Sequence, residues 1–247
     1  MEEDLRVSLR FQELAWHETP MGELSLRRRL EPSLKVDVHE VKLGDEYLMS
    51  SLFTVAEVEL ARLGLAAHDG EAHDGDGLDV VVGGLGLGYT ARTALEDSRV
   101  RRLTVVEAFA EVIEWHEREL LPDVAGLAAD PRTRLVQGDF FAMVRGEAGF
   151  GPEAPERGVD AVLLDIDHSP QHVLDPSHAS FYSTEGLVRL KRLLAPGGVF
   201  ALWSDDPPEE SFVGVLDQTF DTVRAQVVTF DNPLTGGESS NTVYLAR

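Results

Sequence analysis

The stretch DVVVGGLGLGYTA, from Asp79 to Ala91, decides the fold. An apolar run ends in a glycine-dense turn, and a helix-like run follows. This is the pattern of a buried parallel strand, a tight turn and a helix start, where a nucleotide lies against backbone. Gly84, Gly86 and Gly88 alternate with Leu85 and Leu87. Glycine permits positive φ and lets backbone approach a ligand where a Cβ would collide. These three glycines are therefore candidate cofactor-binding positions, the plainer reading being a structural turn.

Downstream, RRLTVVEAFAEVIEWHEREL (101–120) reads as a second strand, Leu103 to Val106, followed by a helix. Glu107 falls at that strand's C-terminal end. An acidic residue about 20 residues past such a turn accepts hydrogen bonds from a ribose diol. A helix-start glutamate is the alternative. Residues 134–137 read as a third strand running into GDFF (138–141). There Asp139 can accept from the adenine amine, and Phe140 or Phe141 can flank the ring. A nucleoside-containing cofactor is expected, with a dinucleotide and S-adenosylmethionine both open at this point.

The segment VDAVLLDIDHSPQHV (159–173) is the second focus. A continuous apolar strand ends in Asp165, followed by Asp167, His168, Ser169 and Pro170. Carboxylates at the end of a central parallel strand sit over the ligand crevice. Asp165 can orient an acceptor or take its proton. His168, with an ordinary pKa of about 6.5, is a candidate base. Strand-end capping and a Ser-Pro turn are the structural alternative. In FYSTEGLVRLKRLLAPGGVFALWSDD (181–206), Ser183 or Thr184 starts a helix, a Pro-Gly-Gly turn ends it and a strand follows. Tyr182, just ahead of that helix, is placed in the pocket. Residues 211–223 read as a helix, 224–230 as a strand, and 241–246 as a closing strand after a hairpin loop.

Upstream, residues 1–48 read as a small β-rich element. LKVDVHEVKLG (34–44) alternates apolar and polar residues as a half-buried strand does. The basic run Arg27-Arg28-Arg29 reads as a solvated strand edge. Residues 50–66 read as a helix capped by Ser50 or Ser51. The loop AHDGEAHDGDG (67–77) carries His68, Asp69, His73, Asp74 and Asp76 but lacks the ligand spacing of a calcium loop, so no metal is assigned. Residues 146–158 form a Gly/Pro-rich connection.

The 247 residues suit one large α/β domain with an appendage. No apolar run is long enough to span a bilayer. The acidic N-terminus lacks a signal core, so a cytoplasmic location is expected. With no cysteine, disulfides and thiolate chemistry are excluded. The net charge of −22 repels nucleic acid and anionic membranes and attracts cations, an amine or a sulfonium among them.

Taken together, VVVGGLGLG (80–88), Glu107, GDFF (138–141), VDAVLLDIDHSP (159–170) and FYSTEGLVRLKRLLAPGGVFAL (181–202) resemble the class I S-adenosylmethionine-dependent methyltransferase fold. More narrowly they resemble its spermidine synthase-like, polyamine aminopropyltransferase branch, over residues 20–247. The resemblance implies adenosine against Gly84 and Gly86, the ribose on Glu107, the adenine near Asp139 and an amine-orienting Asp165. It also implies attack of a diamine on decarboxylated S-adenosylmethionine, with release of methylthioadenosine. Three departures stand out. Gly86 occupies the place of an Asp in the family's turn. The family's D-S-S-D-P reads Asp165-Ile166-Asp167-His168-Ser169-Pro170. Met49-Ser50-Ser51 and an apolar helix replace its Gln-Ser/Thr and Asp-Glu-x-x-Tyr elements.

The expected fold is α/β: a Rossmann-like, mostly parallel sheet with helices on both faces and a C-terminal antiparallel hairpin (49–247), behind the β-rich element (1–48). Because amine-binding carboxylates are missing from the motifs, the first expectation is methyl transfer from S-adenosylmethionine to a small, cationic acceptor. Asp165 and His168 would be catalytic, with Asp167 and Tyr182 at the acceptor. The alternative is aminopropyl transfer from decarboxylated S-adenosylmethionine. Further readings are a non-catalytic homologue, a metal-dependent O-methyltransferase using Asp165, Asp205 and Asp206, and a nicotinamide enzyme. The N-terminal element is a candidate homodimer surface.

Overall fold

The structure, a computed structural model, describes residues 10–68, 77–146, 149–151 and 154–247. These residues form two sheets. The first is a four-stranded antiparallel meander of β1 (Phe11–Thr19), β2 (Gly22–Glu31), β3 (Val36–Leu43) and β4 (Glu46–Ser50). The basic run is not a strand edge, because β2 lies between β1 and β3. Arg27 Nε and Arg29 Nε each bond one oxygen of the buried Glu40 carboxylate at 2.8 Å, and Arg28 faces Asp37.

The second sheet has seven strands in the order β10-β11-β9-β8-β5-β6-β7. They are β5 (Leu78–Gly83), β6 (Val100–Glu107), β7 (Thr133–Gln137), β8 (Val159–Leu164), β9 (Leu194–Ser204), β10 (Val223–Asn232) and β11 (Gly237–Ala246). Strands β5 to β9 run parallel, and β11 inserts antiparallel between β9 and β10. The chain moves outward from β5 through β6 and β7, then returns to place β8 on the other side of β5. That reversal opens a crevice at the C-terminal ends of β5 and β8.

Every residue of β5 and β8 is buried, as strands covered on both faces must be. Side chains alternate between two core layers. Val80, Val82, Ala161, Leu163 and Ala201 enter one layer, while Val81, Val162, Leu164, Phe200 and Leu202 enter the other. The first layer also takes Leu24, Leu26 and Val41, so the meander shares its core with the sheet.

Helices α1 (Val55–Ala66), α2 (Tyr89–Ala94), α3 (Ala110–Glu117), α4 (Phe140–Arg145), α5 (Thr184–Lys191) and α6 (Glu210–Asp217) flank the sheet. Helix α1 buries Ala56, Leu60, Ala61, Gly64 and Leu65 on one stripe and lies across β8, β9 and β11. It starts later than expected because Ser50 belongs to β4 and Ser51 Oγ accepts the His39 amide at 2.9 Å. Ser183 does cap α5, its hydroxyl accepting the Gly186 amide at 3.2 Å. The Pro-Gly-Gly turn is instead a bulge within β9. Val159 pairs with Leu194 but Ala161 pairs with Val199, so the four residues 195–198 stand opposite Asp160 alone and buckle out.

At the N-terminal ends of β5 and β8, Asp79 and Asp160 are buried. Arg157 grips Asp160 through two bonds, of 2.7 and 2.8 Å, and reaches Asp79 at 3.3 Å. Asp160 Oδ2 also accepts the Asp79 amide at 2.8 Å, and Arg101 bonds Asp79 at 2.6 Å. His68 is buried with Nε2 3.9 Å from Asp160. Asp69, His73, Asp74 and Asp76 lie outside the described residues. Among the described residues no helix is long and apolar enough to cross a membrane.

Candidate active site

A cavity of about 280 Å³ opens at the C-terminal ends of β5, β6, β7 and β8. Its floor is Gly84, Gly86, Glu107, Gly138, Asp139 and Phe140. Asp165 and Ile166 form its β8 side. The meander roofs it with Met21, Leu24, Val41, Leu48 and Met49, and the loop after β8 closes it with Leu174, Asp175, Ser177 and His178.

The glycine turn is built for close approach. Gly84 has φ +92°, and a Cβ there would overlap the Asp165 carbonyl. Glu107 is 8% exposed, and both its oxygens face backbone donors: Oε2 accepts Leu85 N–H and Oε1 accepts Phe109 N–H, each at 2.9 Å. Burial raises its pKa against the opposing pull of these amides. Behind the turn, His116 Nε2 lies 2.8 Å from the Gly86 carbonyl. Burial lowers the pKa of this ring, so neutral His116 donates the Nε2 proton.

Gly88 does not line the cavity. Its φ of +87° ends the turn at the N-cap of α2, where a Cβ would strike His116 and Leu127. Asp139 lines the cavity and also N-caps α4, Oδ1 accepting the Ala142 amide at 3.0 Å. Phe140 is 2% exposed, packed against Phe141, Phe150 and Phe181, so it presents a wall of the core to the cavity.

The structure moves Asp167 and Tyr182 out of the acceptor position expected for them. Asp167 turns away from the cavity and is 1% exposed. Its carboxylate accepts from Leu174 N–H at 2.7 Å, His178 Nδ1 at 2.9 Å and Tyr182 OH at 2.7 Å. Three donors satisfy this buried carboxyl group, and the bonds from Leu174 and His178 pin the closing loop. His178 in turn stacks on Phe141 with ring centroids 3.9 Å apart. His168 stays at the cavity's edge and also faces a shallow outer groove with Asp205 and Asp206.

Asp165 is the inner member of a carboxylate group that the sequence motifs did not reveal. Thr90 Oγ1 lies 2.8 Å from Asp165 Oδ2 and 3.3 Å from the Glu57 carbonyl, joining α2, β8 and α1. Glu57 and Asp205 line a depression of about 370 Å³ with Phe53, Trp203, Phe230 and Asn241. Burial, then the nearby Asp165 and Asp205 charges, push the Glu57 carboxyl up to about 8. Burial raises Asp165 to about 6 against the Thr90 hydrogen bond. Asp205 is exposed and anchored by Asn241 Nδ2 at 2.6 Å. Asp206 is held by His172 Nδ1 at 2.9 Å. Among the described residues no three His, Asp or Glu side chains converge as metal ligands.

Like charges held close together are stabilised by an incoming cation. Glu57→Gln is therefore expected to act in opposite directions on stability and function. The raised carboxyl binds more protons folded than unfolded between about pH 4.5 and about pH 8, so stability falls as pH rises through that window. Removing it should stabilise the fold at pH 8 by about 2 kcal/mol, or several degrees in Tm, after allowance for its partial exposure. Thermal unfolding of both proteins at pH 5 and pH 8 reads this. An unchanged difference between the two pH values would refute it.

No family model matches the chain. It is 33% identical over 134 residues to the polyamine aminopropyltransferase of Mycobacterium tuberculosis, covering 54% of this chain and 24% of that relative. It is 33% identical over 158 residues to the Prochlorococcus marinus polyamine aminopropyltransferase, covering 64% of this chain and 49% of the relative. The chain thus spans half or less of the length of these curated relatives. The crystal structure of spermidine synthase from Thermotoga maritima superposes with a TM-score of 0.69 at 17% identity, covering 95% of this chain and 72% of that one. The fold is that of the spermidine synthases, within the class I S-adenosylmethionine-dependent methyltransferase architecture.

Proposed function

We propose that this protein, spermidine synthase-like in fold and similar in sequence to polyamine aminopropyltransferases, transfers an aminopropyl group from decarboxylated S-adenosylmethionine to a cationic amine. One observation carries the reading: Asp165 lines the cavity and, joined through Thr90 to the Glu57 backbone, lies close enough to charge Glu57, which with Asp205 lines a second depression. The methyl-transfer expectation rested on amine-binding carboxylates absent from the motifs. Glu57 and Asp205, from α1 and the end of β9, supply that charge from elsewhere in the chain.

The cavity residues fit the nucleoside. Gly84 and Gly86 bring bare backbone to the cavity floor, Glu107 is the residue assigned to the ribose, and Asp139, also in the lining, is the one assigned to the adenine. Among the described residues the lining contains no Lys or Arg and carries the carboxylates of Glu107, Asp139, Asp165 and Asp175. Such a wall favours a cation and disfavours a cofactor that also bears a carboxylate. When bound, the sulfonium supplies an electrophilic carbon. Asp165 holds the acceptor's ammonium and takes its proton, Thr90 fixes the carboxylate, and Glu57 and Asp205 hold positive charge on the outer side.

Protonated carboxyls cannot pair with an ammonium. The acceptor kcat/KM is expected to rise with pH through about 6, as Asp165 ionises, and again through about 8, as Glu57 does. Glu57→Gln should lose the upper step and about 10-fold in acceptor kcat/KM. A flat profile from pH 5 to 9 would count against both roles.

The deciding experiment offers each sulfonium with a panel of diamines and longer polyamines and identifies the products by mass spectrometry. Methylthioadenosine and an aminopropylated amine are expected. S-adenosylhomocysteine and a methylated product would return methyl transfer to first place. Nucleoside binding without either product would leave a non-catalytic homologue.

A further inference from the structure

The amides of the glycine turn are already committed. Leu85 N–H donates to Glu107 Oε2, and the Gly86 amide also faces that carboxylate. Gly88 N–H returns to the Leu85 carbonyl at 2.7 Å. The remaining donor, Leu87 N–H, points to Met49 Sδ at 2.9 Å. Met49 arrives from β4 and lines the cavity. It lies over the turn so closely that a Cβ on Gly86 would overlap its sulfur and methyl carbon.

Turn amides of this kind are a natural cradle for an anion. A carboxylate entering a largely apolar cavity needs donors to replace the water it loses. Here Glu107 takes two amides and a thioether takes the third. Among the described residues no Lys or Arg lines the cavity, and His116 fixes the Gly86 peptide from behind. We propose that Met49 is a specificity-determining residue that closes the turn to the α-carboxylate of S-adenosylmethionine and so selects the decarboxylated sulfonium. The proposal rests on the reading of the cavity as a sulfonium-nucleoside site. It adds which residue discriminates and how. A thioether is a weak acceptor, so the cap yields once its sulfur is gone.

The test is calorimetric titration of wild type and Met49→Ala with S-adenosylmethionine, its decarboxylated form and methylthioadenosine, which lacks the amino-acid arm. Wild type is expected to prefer the decarboxylated form by about 10- to 100-fold, the worth of a charge-assisted hydrogen bond denied. Met49→Ala should shrink that ratio below about 3-fold, chiefly by tightening S-adenosylmethionine relative to methylthioadenosine, whose affinity in the same variant reads the packing lost with the side chain. Met49→Val also removes the sulfur and its methyl but keeps a strand-compatible side chain, and gives the same readout should the Ala variant not fold. Equal wild-type affinities for the two sulfoniums overturn the proposal. So does a preference that persists in both variants while methylthioadenosine still binds. Wild type that binds none of the three sinks the sulfonium-site reading itself, a distinguishable failure.

Discussion

Asp165→Asn is expected to lower amine-dependent turnover by about 10²- to 10⁴-fold, the range for loss of a positioned proton acceptor. The substitution preserves shape. Thr90 still finds an oxygen 2.8 Å away, and the Asp165 backbone, which runs against Gly84 and donates to the Gly83 carbonyl at 2.8 Å, is untouched. The nucleoside cavity should therefore bind methylthioadenosine as wild type does. What is lost is a base lining the cavity and one negative charge facing the acceptor. Burial still holds the Glu57 carboxyl up, but the Asp165 charge that adds to it is gone, so the upper step of the pH profile should move to lower pH. Steady-state kinetics with nucleoside titration separates the effects. Turnover within about 3-fold of wild type would transfer the proton-accepting role to another group.

The second large effect is on the fold, at the opposite end of the sheet. Asp160→Ala is expected to cost about 3–5 kcal/mol, because it removes the two shortest Arg157 bonds from a buried site and leaves the Asp79 amide without its acceptor. In a chain of this length that is about 10 °C in Tm. Burial alone would raise the Asp160 pKa. The Arg157 bonds and the Asp79 amide outweigh it and hold the carboxyl below its ordinary value. Its stabilisation is therefore present above about pH 4 and lost as pH falls through the folded-state value. Asp160→Asn keeps an acceptor for the Asp79 amide and should cost less than the alanine. Chemical denaturation at pH 7 decides this, and a loss under about 1 kcal/mol for the alanine would mean that Arg157 carries no such burden.

Neither Asp160 nor Arg157 stands out in the sequence. Asp160 sits second in a strand that reads as continuously apolar, and Arg157 closes a Gly/Pro-rich connection without any visible motif. Their meaning comes from β5 lying beside β8, which puts Asp79 against Asp160 across about 80 residues of chain. Glu57 was hidden in the same way. Along α1 it is one polar residue in an amphipathic run. Only the packing of α1 across β8 and β9 brings it to Asp165 and Asp205.

What the sequence determined by itself is what short-range chemistry dictates. Glycines at 84, 86 and 88 have positive φ because no other residue turns the chain there without strain. The apolar runs 80–82 in β5 and 161–164 in β8 are those of strands covered on both faces. Glu107 had to fall at the end of β6, one strand over from the turn. Tertiary structure alone decided which carboxylates face the cavity. Asp165 and Asp167 are two residues apart and both follow β8, yet the turn sends one to the cavity and buries the other under Tyr182 and His178. It also decided that the meander would roof the cavity and set Met49 on the glycine turn, a contact between residues 38 positions apart. Local pattern fixes the direction of a strand and the hand of a turn. Which distant side chain completes a site depends on how layers pack, and that is settled by burial over the whole chain.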